Sequence, residues 1–255
     1  MGNFNLIIKF FLFIIPPGLG SSEFYEFKYK ILWNGVKVGY AYLGKYAILN
    51  YQSENCYLLQ AKAFNLPVLQ KLYPVKDKVT TYWSLKKRKP IYSEKELREG
   101  SYYRFQKSFF YYNIKQIHWY QREKVKNQYK NKRGVVEIQK ESEIQDILSA
   151  IFYLHESPYR PKENQFSIPM FDDTQFTFLT INILKKEKFK IKINNEEFLK
   201  DVWMIKPYYQ TSGLFRLAGD LTIWISDHEK QIVKIRAKIP YLGYVESILI
   251  EYKQW

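Results

Sequence analysis

Tyr25-Glu26-Phe27-Lys28-Tyr29-Lys30-Ile31-Leu32-Trp33-Asn34-Gly35-Val36-Lys37-Val38 decides the fold class. Phe27, Tyr29 and Ile31 alternate with Lys28 and Lys30, the two-residue period of a strand with one buried face and one wet face. Asn34-Gly35 follows at once. Both central positions of the tightest hairpin turn need positive φ, so Asn-Gly between two alternating runs marks a β-hairpin. Val36, Val38, Tyr40 and Tyr42 carry the second strand onward. Gly39 within it marks a bulge or a close backbone approach.

Outward from this hairpin the same grammar repeats. Residues 56–64 read as a third strand. Leu66, Leu69 and Leu72 are spaced by three, which suits one helical turn or two. Asp77 to Trp83 alternates, Lys86-Lys87-Arg88-Lys89-Pro90 forms a charged hairpin tip, and residues 91–99 return from it. Tyr102 to Tyr112 and Ile114 to Arg122 form a further pair joined at Asn113. Lys124 to Arg133 is basic without periodicity and is expected to be a loop, with Val135 to Ile138 a short strand.

Strands are expected again near 165–170, 175–184, 186–193, 201–207, 213–217, 219–226, 231–239 and 241–252. Lys186, Lys188, Lys190 and Lys192 oppose Phe189, Ile191 and Ile193. Val233, Ile235, Ala237 and Ile239 oppose Lys234, Arg236 and Lys238. Such alternation belongs to an antiparallel sheet with one solvated face.

One helix interrupts the strands, at about 143–155. Ser142 is positioned to cap it, with Gln145 as the capping-box partner. Glu141, Glu143 and Asp146 place negative charge near its start, and His155 lies in its last turn. Ile144, Ile147, Leu148, Ile151 and Leu154 make one apolar stripe, widened by Phe152 and Tyr153, and Pro158 ends it.

The first residues read differently. Lys9 precedes the apolar run Phe10–Ile15, then Pro16-Pro17-Gly18, then the small residues Gly20, Ser21 and Ser22. That order is a secretory signal peptide over residues 1–22, and the run is far shorter than the roughly 20 residues of a spanning helix. Residues 23–255 then form one domain. Export to the periplasm or cell envelope of a bacterium is the expectation. Cys56 is the single cysteine, so no internal disulfide is available and the thiol reads as a small buried hydrophobe.

Trp33-Asn34-Gly35-Val36-Lys37-Val38-Gly39, Gln145–Leu154, Gly219–Asp227 and Tyr241-Leu242-Gly243-Tyr244-Val245 occur in this order. Together they resemble the DUF3108 family of exported bacterial proteins of unknown function. The resemblance implies export and a β-rich fold, and supplies no catalytic residues. At the level of fold, a sheet curved around a helix is also similar to the carriers that escort lipoproteins across the periplasm.

The chemistry-bearing residues are sparse. There are three histidines. His118 sits among aromatics, and His228 sits in the turn Asp227-His228-Glu229-Lys230. No pair of histidines has metal-ligand spacing, no serine stands in a nucleophile elbow, and Asp172-Asp173 reads as a turn. No catalysis, metal or cofactor is expected, with an envelope hydrolase the least favoured reading.

Two surpluses remain. The net charge of +15 suits anionic partners such as phospholipid headgroups or glycolipid. Export sets nucleic acid aside, and lysines on exposed strands also serve solubility. Lys186, Lys188, Lys190 and Lys192 are the candidate contacts for an anionic membrane surface. The second surplus is aromatic: 6 Trp, 23 Tyr and 18 Phe. They either pack a β core and ladder across strands or line a concave site for an acyl chain or glycan.

The expected fold is therefore mainly β: a single domain, a strongly curved antiparallel sheet or open barrel holding one central α-helix. The expected function is a monomeric, non-catalytic envelope protein that binds or escorts an amphipathic lipid, lipoprotein or glycolipid, with Phe152 and Trp224 lining the ligand. The alternative is a structural or protein-interaction module with no small ligand.

Overall fold

The computed structural model describes residues 24–125, 128–138, 143–156, 164–209, 221–239, 241 and 243–255. The expected signal peptide 1–22 and the expected strand 213–217 lie outside the described residues. The strands are β1 (Tyr25–Trp33), β2 (Val36–Tyr51), β3 (Glu54–Asn65), β4 (Lys76–Ser84), β5 (Pro90–Glu99), β6 (Tyr102–Tyr111), β7 (Gln116–Val125) and β8 (Gln128–Glu137). After them come β9 (Gln165–Asp172), β10 (Gln175–Ile193), β11 (Glu196–Tyr209), β12 (Leu221–Ser226), β13 (Ile232–Ile239) and β14 (Gly243–Gln254). Among the described residues there are two α-helices, α1 (Pro67–Gln70), at the expected helical turn, and α2 (Ile147–Glu156), so the fold does not hold a single helix.

The fourteen strands of the described residues belong to one antiparallel sheet in the order β8-β7-β6-β5-β4-β3-β2-β1-β14-β13-β12-β11-β10-β9. It is two meanders, β1–β8 and β9–β14, joined by pairing of the first strand with the last. The founding hairpin behaves as its residues dictate: Asn34 and Gly35 take φ of 47° and 84°. Phe27, Tyr29 and Ile31 are buried, with Lys28 and Lys30 on the outer face. Both readings of Gly39 apply. The register slips opposite it, between Ile31 and Leu32, and a Cβ there would stand 2.4 Å from the Phe64 carbonyl oxygen.

The sheet is rolled so that the edge strand β9 is tucked inside. Phe171 of β9 meets Phe110 of β6 edge-on, ring centres 5.9 Å apart. The segment between β8 and β9 carries α2 onto the inner face, where it packs on β3, β4 and β9. Ile147, Leu148, Ile151 and Phe152 join a core with Phe27, Tyr29, Leu43, Leu59, Ile235 and Leu249, all buried.

Three expectations are corrected. The helix begins at Ile147 and not near 143. Its cap is Asp146: the Ser149 N–H donates to Asp146 Oδ1 (2.6 Å) and the Asp146 N–H donates to Ser149 Oγ (2.9 Å), the reciprocal capping box moved along by four residues. Ser142 lies outside the described residues. Ile144 precedes the helix and joins a smaller cluster with Phe110, Ile117, Ile138 and Phe171.

Second, the basic stretch expected as a loop is the end of β7 and most of β8. Residues 128–133 are exposed on both faces at the sheet's edge. With no buried side there is no alternation to read. Third, residues 175–193 are one strand, because the charged stretch Leu184–Lys186 falls at a bulge between Ile183 and Lys185, which keeps the strand intact.

Candidate functional site

The helix cap leads to the charged interior of the molecule. Asp146 Oδ2 accepts from the Thr81 hydroxyl of β4 (2.6 Å), fully buried. Burial pushes its carboxyl pKa up, and the hydrogen bonds from Thr81 and Ser149 hold the rise in check. Beside it, β5 and β6 turn Lys95, Arg104, Gln106 and Ser108 inward, all buried. These positions follow from strand parity: Lys95 shares a face with Ile91 and Leu97, and Arg104 with Phe110.

Two carboxylates from the tucked edge answer the two cations. Lys95 Nζ donates to Asp172 Oδ1 (2.7 Å) and stands 3.9 Å from Asp173. Arg104 Nη2 is 3.1 Å from Asp173 Oδ1 and donates to Gln106 Oε1 (3.1 Å) and Gln121 Oε1 (2.9 Å). Burial drives the Lys95 pKa down, and the charges of Asp172 and Asp173 more than reverse it. The cluster binds strand β9 to β5 and β6. A pocket of about 290 Å³, counting the space open to solvent at its mouth, lies between Lys95, Gln106, Ser108, Asp146 and Asp172. Its enclosed part admits about one water.

Gln145 completes the arrangement. Its backbone bridges the free side of β9, donating to the Pro169 carbonyl (2.9 Å) and accepting from the Phe171 N–H (2.8 Å). Its side chain accepts from Trp83 Nε1 (3.2 Å) and donates to the Arg88 carbonyl (2.9 Å). Sequence reasoning passed over Lys95, Arg104 and Asp146 as site residues. The available signal was β6, where Arg104, Gln106 and Ser108 alternate with Tyr103, Phe105 and Phe109.

Phe152 is wholly buried in the core, and its ring stacks on Tyr25 (6.3 Å, 22°). Trp224 is half-buried and shares its strand face with Thr222, opposite the buried Leu221 and Ile223. Its Nε1 donates to Glu187 Oε1 (2.7 Å), and Lys234 Nζ lies 5.4 Å from its ring centre. The two residues thus stand in different surroundings.

Lys186, Lys188, Lys190 and Lys192 are all exposed along β10, with Ile191 and Ile193 buried opposite. Lys186 pairs with Asp227 and Lys190 with Glu197. Asp227 also accepts from Trp203 Nε1 (2.8 Å). Against the upward pull of burial, these donors lower its carboxyl pKa to about 2. Of the histidines, His118 Nε2 is 2.9 Å from Gln116 Oε1 with its ring edge-on to Tyr111, His228 is exposed in its turn, and the His155 side chain lies outside the described residues. Cys56 is buried, and burial pushes its thiol up to about 11.

The family model for DUF3108, a protein of unknown function, matches residues 28–249, from β1 into β14. The chain belongs to the DUF3108 family. No curated protein matches this DUF3108 chain. Among solved structures it is similar to a beta-barrel-like protein of the domain of unknown function DUF1849 from Brucella abortus. The two share 7% sequence identity at a TM-score of 0.58, over 95% of this chain and 99% of that one. A Bacteroides fragilis protein with a YmcC-like fold aligns over 95% of this chain and 99% of its own at 7% identity, with a TM-score of 0.36. The first likeness supports a shared beta-barrel-like fold for this DUF3108 member. The second is too distant to carry an argument.

Proposed function

We propose that this DUF3108 protein is an exported, non-catalytic envelope module that acts through its surface and carries no small amphipathic ligand. The observation that supports this reading is the packing around α2. Phe152, Leu148, Phe27, Leu43, Leu59 and Ile235 leave no accessible surface, whereas the wall of an acyl-chain cavity would be reachable by a water-sized sphere. The pocket beside Lys95 admits about one water and mixes Lys95, Glu94, Asp146 and Asp172 with Val79, Ile147 and Phe171, too small for an acyl chain. Trp224, held between Glu187 and Lys234, belongs to the outer architecture in this reading. Export is supported by the order of Lys9, Phe10–Ile15 and Gly20–Ser22.

Titration with a naphthylamine-type apolar dye and with a fluorescent fatty acid tests the reading. The expected result is no saturable binding and no change in tryptophan emission. Saturable one-to-one binding that Phe152→Ala enhances or Trp224→Ala weakens would restore the carrier.

A further inference from the structure

Three turns at one end of the rolled sheet stand side by side. They are the β1–β2 turn, the β3–β4 connection with α1, and the β13–β14 turn. Backbone bonds hold them side by side. The Leu66 N–H donates to the Val38 carbonyl (2.8 Å) and the Asn34 N–H to the Tyr244 carbonyl (2.8 Å). The Tyr244 N–H donates in turn to Asn34 Oδ1 (2.8 Å).

Apolar side chains at this end point into solvent. Val36 is 68% exposed, Val68 70%, Leu72 84% and Tyr241 100%. Helix α1 buries none of its residues, so its leucine spacing does not serve the core. Single exposed apolar residues are ordinary, but several gathered on neighbouring turns form a patch that asks for a partner.

The exposed charges on these three turns have one sign; at the same end, Glu99 beside the β5–β6 turn and Asp172 beside the β9–β10 turn are buried, and Asp173 pairs inward with Arg104. Segments 34–38, 66–76 and 238–244 contain Lys37, Lys71, Lys76 and Lys238 and no aspartate or glutamate. All four lysines are exposed. At the other end, Gln52-Ser53, Lys86–Lys89, Asn194-Asn195 and Asp227–Lys230 are polar and include both signs, and the β6–β7 turn there exposes a single aliphatic side chain, Ile114. Apolar tips among unopposed lysines match the headgroup boundary of a bilayer. Apolar groups enter the acyl margin there while ammonium groups reach back to phosphates. A folded protein partner would instead call for a broad complementary face of several hundred Å² per side, and these are projecting tips.

We propose that this end of the molecule docks on an anionic lipid bilayer, with Val36, Val68, Leu72 and Tyr241 entering the headgroup boundary and Lys37, Lys71, Lys76 and Lys238 meeting the phosphates. This goes beyond the surface-acting reading, which concerns the interior and stands or falls by dye binding. It also assigns the membrane to a different surface from the β10 lysines.

The experiment uses the full chain carrying an environment-sensitive dye on Leu72→Cys or, separately, on Lys188→Cys. Buried Cys56 does not compete for the label. Vesicles are phosphatidylglycerol with phosphatidylcholine, or phosphatidylcholine alone. The expected result is a blue shift and brightening at position 72 with anionic vesicles, solvent-like emission at position 188, and weak response to phosphatidylcholine. Adding Val68→Asp is expected to lower partition roughly tenfold or more, and salt of about 0.5 M to weaken it. Unchanged emission at position 72, a shift at position 188 without one at 72, equal response to both vesicle types, or indifference to Val68→Asp would each overturn the proposal. Because position 72 reports its own surroundings, attachment through any other part of the chain leaves it solvent-like and counts against the proposal.

Discussion

Lys95 of β5 and Asp172 of β9 meet at 2.7 Å inside the rolled sheet, 77 residues apart in the chain. Edge strand β9 is held by this contact where an open sheet would leave it free. Asp172→Ala is expected to cost about 3–5 kcal/mol, because it leaves a buried ammonium with a weaker partner. Lys95→Met combined with Asp172→Leu is expected to cost less than either single change, since two apolar groups replace two desolvated charges. Urea unfolding of the three variants checks this, and additive losses would count against it.

Asp77 supplies a pH prediction. Its Oδ1 accepts from the Arg98 N–H (2.8 Å), while buried Oδ2 has no hydrogen-bond partner among the described residues. Burial first, then the neighbouring charge of Glu99, holds its pKa well above the usual carboxylate range. The folded state therefore keeps a proton that the unfolded state has released. Stability is expected to fall as pH rises from about 4 toward that raised value. Asp77→Asn keeps the Arg98 bond and removes the charge. It is expected to stabilise by about 1–3 kcal/mol near neutral pH and to flatten this dependence, read from melting temperature against pH.

Ile151 tests the helix seat. It lies buried on the sheet-facing side of α2 among the core residues. Ile151→Ala is expected to cost about 2–5 kcal/mol, the range for emptying a core site. A loss under about 0.5 kcal/mol, the size of an ordinary surface change, would mean that the helix is not seated in the core.

Gly39 tests the close approach in β2. The nearest obstacle to a side chain is the Phe64 carbonyl at 2.4 Å, with Asn65 Cα at 3.0 Å. Both are backbone and cannot swing aside. Gly39→Ala is expected to destabilise by about 1–3 kcal/mol, whereas Gly35→Ala meets no atom within 4 Å and pays only through its φ of 84°.

The legible parts of this fold were those where one face is buried. Phe27, Tyr29 and Ile31 in β1, and Ile191 and Ile193 in β10, announced their strands because the core demands alternation. Residues 128–133 of β8 gave no such signal because water bathes both sides. Helix α2 was visible from Ile147, Leu148 and Ile151, but its first turn was misplaced: Ile144 extends the apolar spacing while packing elsewhere. The charged interior was hidden for a different reason. Lys95 and Arg104 become inward-facing partners only when Asp172 and Asp173 arrive from the second meander, and local spacing carries no trace of a contact so distant. The spacing of Leu66, Leu69 and Leu72 did mark a helical turn, Pro67–Gln70, with Leu66 and Leu69 half-buried and Leu72 exposed.

The pairing of β1 with β14 has a kinetic consequence. Within each meander every strand needs only its immediate predecessor, so ordering can spread hairpin by hairpin. The seam between them is different: Lys28 meets Glu251 across 223 residues. Closing so long a loop is entropically slow. During synthesis from the N-terminus, β1 emerges long before its partner. The first meander must then wait with β1 as a raw edge, and α2 without the second half of its seat. Refolding is expected to show a half-formed species made of β1–β8, and the late step to be the zipping of β14 onto β1. A holdase that covers β1 in that interval would raise the yield of native protein more than one acting on any later strand.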